Sequence, residues 1–230
     1  MHNNKTLISV LMSIYNSEKT LEKSISSVLE QTYKNFEFLI CDDGSTDGTS
    51  KILKKFEKID KRITIIKNNK NLGLTKSLNS LIQNSKGAYI ARQDGDDHSH
   101  PERLKTQLSL CLDKNYKVVV SRAIDVANNK LIPNYSYYVP YKLLIKFRNP
   151  FIHGSLFISS KTLNEIGNYD ERFYYAQDYK LFREIVDERI KIKKIWNPIY
   201  FLNTKDNIST KFKKDQKYFA DCVRTRSIPR

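Results

Sequence analysis

Apolar positions along the first 120 residues alternate between two periods. Residues 7–14 form a nearly unbroken apolar run, the pattern of a strand buried on both faces of a parallel sheet. Asn16 follows as a candidate N-cap, and Leu21, Ile25, Val28 and Leu29 then fall at helical spacing. A second apolar run at 36–41 stops at the turn cluster Asp42-Asp43-Gly44-Ser45. Ile52, Leu53, Phe56 and Ile59 predict a second helix, 63–66 a third strand, and Leu74, Leu78, Leu81 and Ile82 a third helix with Gly87 as its C′ residue. A fourth strand at 89–91 runs into Asp94-Gly95-Asp96-Asp97. Ser99 and Glu102 then suggest a capping box around Pro101, opening a helix with Leu104, Leu108 and Cys111 on one face. Residues 118–120 predict a fifth strand.

Strand and helix alternating in this way predict an α/β fold, a mostly parallel sheet with helices on both faces. Ligands of such sheets bind beyond the carboxyl ends of the strands. Asp42-Asp43 and the Asp94 to Asp97 cluster both follow predicted strands, so both are expected on that edge, within reach of one site. The second half is less regular. Residues 127–150 carry three prolines and several tyrosines, predicting a loop-rich insertion with one short helix at 141–147. A strand is expected at 156–158, a helix following Asp178, and a final pair of strands at 190–196 and 199–202.

Composition narrows the function classes. The chain has 230 residues, long enough for one large domain, and only 7 glycines and 6 prolines. Its three cysteines, Cys41, Cys111 and Cys222, are far apart and form no CxxC pair, which supports neither a zinc cage nor a disulfide framework and suits a reducing compartment. No apolar run reaches the length of a membrane span, and the start of the chain shows no signal-peptide pattern. The net charge of +15 favours anionic partners: nucleic acid, phosphate-bearing substrates or an acidic bilayer. The cations are scattered over predicted helices without a nucleic-acid recognition motif, so nucleic acid is not expected as a partner. A Walker loop, G-x-G-x-x-G and G-x-S-x-G are all missing.

Four places could carry chemistry. Side-by-side carboxylates repel, so Asp94-Gly95-Asp96-Asp97 calls for a cation, and oxygen-only ligands suit Mg2+ or Mn2+; the bland alternative is a solvated acidic turn. Asp42-Asp43 is either an Asx-turn or a carboxylate accepting a bond from a nucleobase ring N–H. Asp178 is either a helix cap or a general base for a hydroxyl acceptor. His153 is either a satisfied core histidine or part of a site.

Taken in order, several segments resemble the family 2 nucleotide-sugar glycosyltransferases of the GT-A fold, over roughly residues 6–205. They are Ile8-Ser9-Val10-Leu11-Met12-Ser13-Ile14-Tyr15-Asn16, Asp42-Asp43-Gly44-Ser45-Thr46-Asp47, Asn71-Leu72-Gly73-Leu74, the stretch 87–97 and Pro101-Glu102-Arg103-Leu104. The resemblance implies a Rossmann-like nucleotide-sugar half at 1–120, an acceptor half at 121–205 and a basic C-terminal tail at 206–230. It implies that Ser13, Tyr15, Asn16, Asn71 and Gly73 line the nucleotide pocket, with Asp43 on the uracil ring. Asp94, Gly95 and Asp96 fall on the D-x-D motif, with Asp96 and Asp94 holding Mn2+ or Mg2+. Asp178 falls at the catalytic base, and His153 and Gln177 on the acceptor side. Lys205 or Lys211 would stand in for a diphosphate-binding Arg or His. The implied reaction is inverting transfer from a UDP-sugar to a saccharide or lipid-linked saccharide. Its implied place is the cytoplasm, peripheral at the inner face of the membrane with the basic tail on anionic lipid. A non-catalytic sugar-nucleotide or glycan-binding relative is the alternative. No Q-x-x-R-W motif is present, which speaks against a processive synthase.

Overall fold

The computed structural model describes residues 5–205 and 212–229. The chain begins with β1 (Ile8–Ile14), α1 (Leu21–Leu29), β2 (Phe36–Asp42), α2 (Thr49–Ile59), β3 (Ile63–Lys67), α3 (Leu74–Asn84) and β4 (Tyr89–Arg92). It continues through β5 (His98–Ser99), α4 (Arg103–Lys114), β6 (Val118–Asp125), β7 (Lys130–Ile132), α5 (Tyr141–Leu144) and β8 (Phe157–Ser159). The last elements are α6 (Ser160–Glu165), α7 (Gln177–Asp187), β9 (Ile192–Leu202) and α8 (Lys213–Thr225).

The nine strands form one mixed sheet in the order β3-β2-β1-β4-β8-β6-β9-β5, with β7 beside β6. The first four are parallel, as expected. Strand alternation explains why their sequences are apolar throughout. Ile8, Val10, Met12 and Ile14 of β1 pack in one core with Leu21 and Ile25 of α1, Leu53 of α2 and Leu104 of α4. Leu11 points to the other face, where Leu78 and Leu81 of α3 join Phe182 and Ile185 of α7. The chain winds outward from β1 to β3 and then returns to place β4 on β1's other side. That reversal between β1 and β4 is a topological switch point, and it opens a crevice beyond the strand ends.

Several expectations change. Beyond β4 the mostly parallel sheet becomes mixed: β8 inserts antiparallel between β4 and β6, while β6 and β9 pair in parallel. The two strands expected at 190–202 are one, β9, which pairs with β6 at Ile192–Ile195 and again from Tyr200, with a register break opposite Arg122. Pro198 lies within that break, where a missing N–H costs no ladder bond. Gly87 does not cap α3, which ends at Asn84. Instead it abuts β1, where its N–H bonds Ser9 Oγ at 2.8 Å and an added Cβ would lie 2.4 Å from Ser9 N. The capping box at Ser99 is also absent, since Ser99 belongs to β5 and its hydroxyl joins a buried network.

The expectation of a basic tail is corrected for 213–225, which form α8. Its Cys222 and Val223 are buried in the same core as α7, and Phe219 packs edge-on against Phe173 and Tyr175. Phe219, Cys222 and Val223 are a helical stripe that the dense charge around them hides. Lys211 lies outside the described residues.

Candidate functional site

The loops leaving β1 and β2 are knitted together. Asn16, at φ 49°, does not cap α1; Thr20 takes that position. Asn16 Oδ1 instead accepts the Thr46 N–H at 2.8 Å, and the Asn16 N–H donates to Ser45 Oγ at 3.0 Å. Glu18 Oε2 accepts the Gly48 N–H at 2.7 Å. Tyr15 is exposed beside this junction, and Ser13 is the half-buried penultimate residue of β1.

The two carboxylates after β2 divide their work. Asp42 closes the turn, accepting from Ser45 N at 3.0 Å and Ser50 Oγ at 2.6 Å. Asp43 is buried and shapes the next loop. Its Oδ1 accepts from Asn68 Nδ2 (2.7 Å) and Leu72 N (2.9 Å), and its Oδ2 from Gly73 N (2.9 Å). Gly73 adopts φ +91°, and an added Cβ would sit 2.4 Å from the Tyr174 ring, so only glycine serves here. Asn71 Oδ1 also accepts the Gly73 N–H, at 3.0 Å.

The acidic turn after β4 hangs between three elements. Ser24 Oγ and Thr20 Oγ1 of α1 donate to the carbonyls of Asp94 (2.8 Å) and Gly95 (3.0 Å). The Asp94 N–H donates to Tyr200 Oη at 3.1 Å, and Asp97 Oδ1 accepts the Asn203 N–H at 2.7 Å. Gly95 lies flat on β1, where an added Cβ would be 2.5 Å from Ile14 Cγ2. Beneath the turn is Arg103, fully buried. Its guanidinium donates to Gln107 Oε1, Gln93 Oε1, Ser99 Oγ and the carbonyls of Arg92 and Gly154 at 2.7–3.1 Å. Burial lowers its pKa to about 10, so it stays charged at neutral pH. A charge held by carbonyls and amides in this way fixes the turn's position without a carboxylate partner.

The charges on the turn are unequal. Asp94 is paired with the buried Arg92, while among the described residues no ion pair reaches Asp96. Burial first, and the Asp94 charge second, raise Asp96 to about 6. The same causes push Asp97 well up. No three His, Cys, Asp or Glu side chains among the described residues converge as a ready cage. One or two carboxylates with an uncompensated charge fit a divalent cation whose remaining ligands are water and substrate phosphate.

Asp178 comes to this edge from the other half. Ala176 adopts φ 53°, a conformation sparsely used by residues with a Cβ, and starts α7 so that buried Gln177 and then Asp178 form its first turn. Asp178 Oδ1 accepts the Tyr179 N–H (2.8 Å) and Oδ2 accepts Asn149 Nδ2 (2.7 Å). His153 lies in a short 3-10 turn, not on a strand, with Nε2 2.7 Å from Tyr169 Oη. Burial and then Arg92 lower His153 to about 4, partly opposed by Asp178 and Asp94, so the ring is neutral at pH 7. The charges of Arg92, Asp178 and Asp94 all act on this His153–Tyr169 pair. Asp94 and Asp178, 84 positions apart in sequence, therefore both lie within electrostatic reach of His153. Lys205 is exposed two residues beyond Asn203, whose N–H is bonded to the turn.

Arg92, Arg103, Tyr169, Tyr200 and Asn149 are the participants that the sequence left without a role. Arg103 and Gln107 did leave a sign, since they share the core-facing stripe of α4 with Leu104, Leu108 and Cys111. Asn149 holds one oxygen of Asp178 in place.

The Glycosyl transferase family 2 model matches residues 9–190. The putative glycosyltransferase EpsE of Bacillus subtilis is 39% identical over 169 residues, 70% of this chain and 59% of that protein, so the chain spans less than two thirds of that relative's length. The Escherichia coli UDP-Glc:alpha-D-GlcNAc-diphosphoundecaprenol beta-1,3-glucosyltransferase WfgD is 32% identical over 184 residues, 79% of this chain and 70% of that one. The mannosyltransferase PcManGT from Pyrobaculum calidifontis, solved with GDP-Man and Mn2+, superposes with a TM-score of 0.75. At 16% identity over 96% of this chain and 65% of that chain, it shows the fold alone, which is GT-A.

Proposed function

The chain belongs to glycosyl transferase family 2, and from that premise we propose that it transfers a hexose from a UDP-sugar to a hydroxyl of a lipid-diphosphate-linked saccharide, with inversion. The observation that carries this reading is that the Asp94 N–H bonds Tyr200 Oη, which lies against Gly154, while the charges of Asp94 and Asp178 both act on the neighbouring buried His153. WfgD, by its name, uses UDP-Glc and a diphosphoundecaprenol-linked sugar, which favours that substrate class here.

The loops at Tyr15–Asn16 and Asn71–Gly73 would flank the nucleoside. Asp43 Oδ2, with one donor in place, keeps capacity for a uracil ring N–H. Asp96 and the second oxygen of Asp94 would hold Mn2+ or Mg2+ against the diphosphate. When bound, that ion offsets the negative charge growing on the departing nucleoside diphosphate. Asp178 takes the proton of the acceptor hydroxyl. The acceptor oxygen bonds to the anomeric carbon from the face opposite the leaving group, through an oxocarbenium-like state. As that bond forms, the bond from the anomeric carbon to the diphosphate oxygen breaks, and one displacement inverts the centre. Neutral His153, hydrogen-bonded to Tyr169, adds no competing positive charge.

A panel of nucleotide-sugars with Mn2+ identifies the donor by thermal shift. A ligand at about 100 times its Kd adds about 2.7 kcal/mol to the folded state, or roughly 5–10 °C in Tm at this size. One UDP-hexose should stand out. Stabilisation by GDP-sugars alone would sink the UDP assignment, and stabilisation by none would sink donor binding.

A further inference from the structure

The insertion between β7 and β8 displays a surface that the transfer reaction does not use. Tyr138 is 69% exposed, Phe147 70% and Trp196 47%, with Tyr135 and Leu143 exposed as well. Tyr138 and Trp196 touch, with ring centroids 5.0 Å apart, and Trp196 also packs edge-on to buried Tyr137. Large rings left in water on one segment are costly unless something covers them. Their companions are cations: Lys142, Lys146 and Arg148 are exposed along the same segment, and Lys194 bonds the Tyr137 carbonyl beside the Trp196 ring. From Val126 to Asn164 the chain carries five Lys or Arg and no Asp or Glu. Acids are likewise missing from Arg189 to Lys205, the stretch that holds Trp196.

We propose that residues 135–148, with Trp196 in the β9 bulge, form the face by which this protein docks on an anionic lipid bilayer. Tyr, Trp and Phe mixed with Lys and Arg are the side chains that settle at a headgroup boundary, rings toward the acyl chains and cations at the lipid phosphates. The complementary charge selects an acidic bilayer over a neutral one. The position also suits the proposed acceptor. The segment runs directly into Asn149, which holds Asp178, so a saccharide rising from the bilayer would meet the base at the margin of this face. The face borders the basic stretch at the C-terminus, since Arg224 of α8 donates to the Phe147 carbonyl at 3.2 Å, but it does not depend on that stretch. α8 turns its apolar stripe inward onto the core, leaving Lys213, Lys214 and Lys217 exposed without large aromatic partners from the insertion.

Trp196 is the only tryptophan, so the unmodified protein reports on its own docking. With vesicles of phosphatidylcholine and phosphatidylglycerol, the full chain should co-sediment. Its emission should shift to the blue, and brominated lipid should quench it. Vesicles of phosphatidylcholine alone, or high salt, should reduce all three. Each surface cation contributes roughly fivefold to partitioning, so Lys142→Ser with Lys146→Ser should weaken it roughly 25-fold. Phe147→Ser should weaken it further. The triple variant Lys213→Ser, Lys214→Ser, Lys217→Ser should still show the blue shift. No vesicle binding, binding without a change at Trp196, or release only by the α8 variant would each overturn the proposal. So would a blue shift that follows protein concentration without vesicles, because the face would then be a contact between copies. The inference deepens the lipid-linked acceptor reading, but its test involves no sugar transfer, so either can fail alone.

Discussion

Asp178→Asn should lower turnover roughly 10²–10⁴-fold while leaving donor affinity intact. The expectation follows from the side chain's position. Asn keeps the volume, can still accept the Tyr179 N–H, and sits at the same point of α7, but it cannot take a proton from the acceptor. Asn149 then faces an amide instead of a carboxylate, a loss that is local to this pair. The donor-dependent rise in Tm should survive unchanged, because nothing near the nucleotide loops is altered. Turnover at the wild-type rate would remove Asp178 as the base. Loss of donor stabilisation together with activity would point to misplacement of the whole edge.

Asp96→Asn should have a comparable effect on transfer, on the order of 10³-fold, with the opposite effect on stability. Asp96 is raised from 3.8 to about 6, so between those values the folded metal-free protein holds a proton that the unfolded chain releases. The stabilisation from that proton is complete below about pH 4 and disappears as pH rises through 6. At pH 7.5 the metal-free protein therefore carries an uncompensated carboxylate, and the variant should exceed the wild type by on the order of 2 kcal/mol. Near pH 4 the two should match. Stabilisation of the wild type by Mn2+ should grow as pH climbs through 6, because the ion competes with the proton, and it should be lost in the variant. A variant less stable than the wild type at pH 7.5 without metal would show that Asp96 is not held against its own charge.

The parallel half of the sheet and its functional edge were legible because their signals are local. Near-continuous apolar runs in β1 and β2, and turns rich in Asp and Gly at the strand ends, place Asp43, Asp94 and Asp96 on one edge of a parallel sheet from sequence alone. The rest depends on distant partners. Nothing in Phe157-Ile158-Ser159 says that it will insert between β4 and β6, since strand order is decided by what the two neighbours leave open. Asn16 resembles a cap, but its carbonyl oxygen is drawn to Thr46, thirty positions away. Arg103 looks like an ordinary charge after Pro101 until its five acceptors, on Arg92, Gln93, Ser99, Gln107 and Gly154, are assembled in space. The apolar stripe of α8 was masked by the eight basic residues from Lys205 to Arg230.

The place of β8 also constrains how this scaffold can diversify. β8 is stitched between β4 and β6, and β6 itself spans Val118–Asp125, so residues 1–120 and 121–205 are not exchangeable modules. A chimaera that swapped residues 121–205 for a homologous block would have to bring an edge matching Ile90 and Ala91, and a compatible underside for Arg103. New acceptor preferences should therefore arise by rewriting the 133–152 excursion, which leaves the sheet after β7 and returns to it at β8 without crossing that seam.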